Sequence, residues 1–141
     1  MRWTIAGLLL GFALAAGAQD AGQIKTVAGT ASLERDGNKV PARVGMPVRQ
    51  SDILVTGADG SVGVTFTDNT LLSVGPDSTL VIDRYAFDST THRGQFDTSL
   101  RKGTLAVVSG KIVKQSPDAM RVRTPSSILG VRGTEFLVRV E

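Results

Sequence analysis

The chain has 141 residues, 41% of them hydrophobic and 21% charged, with a formal net charge of +3 and no cysteine. That length holds one domain with a real core, and a charge this mild, spread along the chain, describes a solvated surface and not a nucleic-acid patch. Without cysteine there is no disulfide framework, no thiolate nucleophile and no Cys-based metal site.

The first stretch stands apart from the rest. Met1-Arg2 is a short positive start, Ile5 to Ala16 is an apolar run, and Ala16-Gly17-Ala18 is a small-x-small cleavage site before Gln19. This is the layout of a secretory signal peptide over residues 1–18. The run is about 12 residues where a bilayer span needs roughly 20; an uncleaved anchor is the alternative. No cysteine follows to take a lipoprotein anchor. Residues 19–23 read as a short lead-in, and 24–141 as the domain. Nothing later is apolar for long enough to span a membrane.

From there the chain reads as strands, because successive side chains of a strand point to opposite faces. Val27, Ala31 and Leu33 alternate with polar neighbours. So do Val62, Val64 and Phe66, then Leu80 and Ile82, then Phe136, Val138 and Val140. No long segment has helical period, and 16 glycines along the chain argue against one. Turn chemistry divides the strands at Asp36-Gly37-Asn38, Asp59-Gly60, Asp68-Asn69 and Pro76-Asp77-Ser78. Arg35 to Pro47, with its Lys, Arg and Pro, reads as a protected sheet edge. Asp88 to Gly94 reads as a longer polar loop, and Thr124 to Gly133 as a loop or bent crossing before the last strand. The expectation is an all-β single domain of about nine or ten short strands, a sandwich or flattened β-roll.

The groups that enzymes need are scarce. His92 is the one histidine, in a polar Thr-Thr-His-Arg segment. A triad or a His-based metal site needs further partners that one histidine does not supply. Asp36, Asp59, Asp68, Asp77 and Asp118 lie in turns. Paired carboxylates cleave glycosidic bonds and turn aspartates bind calcium, yet each of these has a local role in stabilising its turn, and none fits the calcium-loop pattern. Gly130-Val131-Arg132-Gly133 is too short for a phosphate loop. Tyr85 and the phenylalanines are assigned to the core and not to a stacking surface. The expectation is no catalytic residue, no cofactor and no metal.

Three stretches carry a resemblance. Gly45 to Gly57 contains Ser51-Asp52-Ile53-Leu54 and Thr56-Gly57. Gly60 to Ser78 runs through a strand into Phe66, Asp68-Asn69-Thr70, Leu72 and Pro76-Asp77-Ser78. The third holds Val122-Arg123-Thr124-Pro125, then Gly130-Val131-Arg132-Gly133-Thr134-Glu135-Phe136. In this order and spacing they resemble the FecR domain family, from about Ile24 to Val140. The family usually shows glycine where Ser51 stands, Asp-Gly-Ser where Asp68-Asn69-Thr70 stands, and alanine near Ser126 and Ser127. The resemblance implies the periplasmic, signal-receiving part of FecR-type regulators, without their cytoplasmic sigma-regulating and transmembrane parts. It therefore implies an exported, non-enzymatic module, periplasmic or secreted, whose partner is another envelope protein. A cell-wall or glycan-binding module is the alternative.

The residues assigned to the motif are Asp52, Thr56, Gly57, Asp68, Thr124, Pro125, Gly130, Val131, Arg132, Gly133, Thr134 and Phe136. Within it, Gly130 and Gly133 are expected to allow tight turns that a Cβ would strain. Arg132, flanked by small residues, is expected to pair with an internal carboxylate such as Asp52, fixing loop geometry. Direct contact with a partner is its alternative role.

Overall fold

A computed structural model describes residues 20–141; the expected signal segment lies outside the described residues. Twelve strands and one short helix follow in chain order: β1 Asp20–Ala28, β2 Ala31–Arg35, β3 Asn38–Pro41, β4 Pro47–Arg49, β5 Ile53–Thr56, β6 Ser61–Phe66, β7 Leu71–Val74, β8 Thr79–Phe87, β9 Gly94–Val108, α1 Lys111–Gln115, β10 Met120–Arg123, β11 Ile128–Gly130 and β12 Glu135–Val140. The domain is all-β, as expected, but has more strands than expected. Two of the additional ones, β4 and β11, are only three residues long and carry no alternation to read. β11 falls inside the stretch read as a loop, and β1 begins inside the stretch read as a lead-in.

The strands form one curled sheet. One half runs β4-β1-β6-β7-β9-β12 and the other β3-β2-β5-β8-β9-β10-β11. Every pairing is antiparallel except β9 with β10, which is parallel and reached through α1. The 15-residue β9 belongs to both halves.

Alternation builds the core. Val62, Val64 and Phe66 of β6, Leu80 and Ile82 of β8, and Phe96 and Leu100 of β9 are buried, in one cluster drawn from both halves. Four irregularities re-phase the pattern where strict alternation would fail. Pairing shifts at Ala21 and Lys25 in β1, at Asp83 in β8 and at Arg101 in β9. An extra residue at a bulge moves the following side chains to the other face. The Asp83 bulge turns Tyr85 and Phe87 toward the core. There Phe66, Tyr85 and Phe96 pack with ring centroids 4.5 to 5.3 Å apart, contacts worth about 0.5–1.5 kcal/mol each beyond their area burial. The Arg101 bulge is followed by Gly103 at φ 94. Together they bend β9 from one half of the sheet into the other.

The Asp88–Arg93 loop is closed by its own chemistry. The Asp88 side chain accepts from Thr90 N at 2.8 Å, and these backbone donors hold its carboxyl below the usual range. His92 stacks on Phe87.

Candidate functional site

Asp52 immediately precedes β5 and is 1% exposed. A buried carboxylate needs compensating donors, and it has three. Arg35 of β2 grips it in a fork, Nε to Oδ1 at 2.8 Å and Nη2 to Oδ2 at 2.6 Å. The backbone N–H of Arg49 donates to Oδ2 at 2.8 Å. Arg35 Nη2 also reaches Pro47 O at 3.2 Å. The carboxylate raises the pKa of the Arg35 guanidinium, chiefly through this hydrogen bond. One side chain thus ties together β2, β4 and β5.

This overturns the pairing expected of Arg132. Its guanidinium is 80% exposed and reaches Asp118, itself 81% exposed, at 3.4 Å. The reason is topological: Asp52 lies beside β2, which pairs directly with β5, and that neighbour supplies the arginine. Arg35 carried no signal beyond its place in a basic, proline-containing stretch.

Thr56 ends β5 as a second tie. Its hydroxyl donates to Gly75 O at 2.6 Å and accepts from Ser78 N at 2.9 Å. Gly57 donates to Thr30 O and accepts from Gly60 N and Asp77 N. A Cβ at Gly57 would press on Thr30 at 3.2 Å.

Asp68 is the third and is fully buried. Its carboxylate accepts from Thr70 N at 3.1 Å, Thr70 Oγ1 at 2.7 Å and Ile112 N at 3.3 Å. Tyr85 OH donates to it at 3.3 Å. The Asp68 carbonyl accepts from Lys111 N. It therefore anchors the start of α1 to the β6–β7 turn. Burial is the main cause that pushes the Tyr85 phenol up to about 12.

The third motif splits between core and surface. Val131 is buried, and its N–H donates to Met120 O at 3.0 Å. Phe136 packs at the edge of the core. Thr124 and Pro125 form a turn closed by Ser127 N to Thr124 Oγ1 at 3.1 Å. Gly133 takes φ 87, and its carbonyl accepts Ser109 Oγ at 2.6 Å. The Thr134 carbonyl accepts Ser109 N at 2.8 Å. Gly130 does not behave as expected. It lies in β11 without a left-handed backbone, and a Cβ there would meet nothing within 4 Å.

The motif residues do not converge on one cleft. Asp52 lines a cleft with Arg49 and Gln50, Thr56 and Gly57 line another beside β3, and Thr124 and Pro125 line a third beside Arg101. Among the described residues no group of three His, Cys, Asp or Glu side chains is placed to hold a metal ion.

A family model described as "FecR protein" matches residues 52–141. No curated protein and no solved structure matches the chain.

Proposed function

Because the chain belongs to the FecR protein family, we propose that it is an exported, non-enzymatic protein-interaction domain of the cell envelope, akin to the signal-receiving part of FecR-type regulators. The observation that carries this reading is β12. It is an edge strand of six residues without proline, paired on one side by β9. Its outward Leu137 is 73% exposed. An edge of this kind offers unpaired N–H and C=O groups to a partner strand and an apolar side chain to seat it. The edge strand at the far end of the other half, β3, ends in Pro41, a residue that offers no N–H to a partner strand and that β12 lacks. The motif carboxylates Asp52 and Asp68 support the reading, since both are engaged in internal hydrogen bonds and hold the scaffold.

The test is affinity capture from envelope extract with the tagged chain at low and high salt, with eluates identified by mass spectrometry. The expected result is one dominant envelope protein retained at high salt and lost with Leu137→Arg, whose side chain points away from the core. Retention only on purified sacculi, released by salt, would reject this reading in favour of a glycan-binding module.

A further inference from the structure

On the side of β9 away from β8 and β7, the neighbouring row is interrupted. β10 covers Phe96 to Ser99, and β12 covers Gly103 to Val108. Leu100, Arg101 and Lys102 between them have no strand partner on that side, a gap of about 10 Å at the usual rise per residue. The Arg101 bulge lies in this gap, and bulges re-aim side chains and terminate pairing. A cleft of about 230 Å³ opens there, lined by Ser99, Leu100, Arg101, Arg123, Thr124 and Pro125.

Two guanidinium groups therefore border one cleft. Among the described residues neither Arg101 nor Arg123 lies within ion-pair distance of a carboxylate. Ile128, 60% exposed, stands beside Arg123 in register. The positive charge is local: Asp97 is paired with Arg121 in register, and Asp83 accepts Ser99 Oγ at 2.5 Å. A face carrying these carboxylates is poorly suited to an anionic membrane surface and well suited to a short ligand that enters the gap. Unpaired strand backbone recognises extended peptide, and paired arginines recognise carboxylates in bidentate geometry.

The geometry points to this notch as a binding site for a short, extended acidic segment of a partner protein, its carboxylates held by Arg101 and Arg123 and its backbone paired with Leu100–Lys102. This rests on the reading of the chain as a protein-binding domain, and it adds a contact distinct from the free edge of β12.

The test is NMR titration of the ¹⁵N-labelled full chain with a capped hexapeptide of alternating Glu and Val, alongside its Gln-for-Glu counterpart, inorganic phosphate and phosphatidylglycerol vesicles. The expected result is shifts at the amides of Leu100–Lys102 and the Nε of Arg101 and Arg123 with the Glu peptide alone. The R101Q/R123Q double variant should bind it at least tenfold more weakly with an unchanged melting temperature. Equal response to the Gln peptide, shifts mapping elsewhere, or undiminished binding by the double variant would overturn the proposal. So would phosphate binding as tightly as peptide, or vesicles binding where the peptide does not. The shift map of the unaltered chain decides even if the double variant is less stable. Undiminished binding of the Glu peptide by the double variant, together with full-yield capture of a salt-resistant envelope protein, would overturn the notch and leave the protein-binding reading intact. A peptide response at the notch with no protein captured would support the notch and count against that reading.

Discussion

Ser51 holds its backbone at φ 75, in the left-handed region that favours glycine. Its N–H donates to Ile82 O, so the conformation is locked by β8. The position is one where FecR sequences usually show glycine, and the backbone supplies the reason. Ser51→Gly should therefore stabilise the fold by about 1 kcal/mol, read as a rise of about 4 °C in a thermal melt. Asn69, at φ 71 where the family also shows glycine, should gain less from the same change, since Asn tolerates this region. These two departures were visible as departures in the sequence, but their meaning needed the dihedral angles. Tyr85 gives a prediction in pH. Its phenol rises from an ordinary 10.0 to about 12 in the folded protein, mainly by burial. The folded state then holds the proton more tightly than the unfolded chain. The contribution is fully present below pH 10 and is lost as pH rises toward 12. Denaturant melts across this window should show stability falling with pH, and Tyr85→Phe should flatten that slope.

At the scale of elements, strands with one face in the core were legible because burial imposes period two. Val62, Val64 and Phe66 show it without interruption. What alternation does not show is a bulge. At Asp83 the pattern switches parity, and Tyr85 and Phe87, assigned to the core by residue type, reach it through that switch and not through the alternation of Leu80 and Ile82. The motif names Asp52, Thr56 and Asp68, but not what they bind: Asp68 sits in a turn like four other aspartates, and nothing local marks it as the tether of a helix 44 residues away. α1 is five residues long and has no side-chain cap, so it has little stability of its own. Asp68→Ala removes the acceptor that meets Ile112 N and leaves buried donors unsatisfied. It should cost about 3 kcal/mol, measured by chemical denaturation, with faster amide exchange at Ile112 as its local signature.

At the scale of the whole molecule, β9 makes the two halves one cooperative unit. Gly103 permits its bend: the backbone is at φ 94, and an added Cβ would overlap Ser78. Gly103→Ala should cost more than about 2 kcal/mol. In the unaltered protein calorimetric and van't Hoff enthalpies should agree, because neither half keeps a complete set of strands without β9. A variant whose halves melt separately would contradict this account of β9. The all-β class was legible in the sequence, since it follows from patterns within single strands. The sharing of β9 was not, since it depends on partners far apart along the chain.

The order in which the chain is made gives the β9 arrangement a consequence in time. β10 and β12, which cover the far side of β9, are both encoded after it. A chain delivered amino end first, from a ribosome or through a translocation pore, presents β9 with that flank bare until its own carboxyl-terminal strands arrive. During that interval the row is open to any extended segment nearby, and the domain's own last strands must win a competition for it.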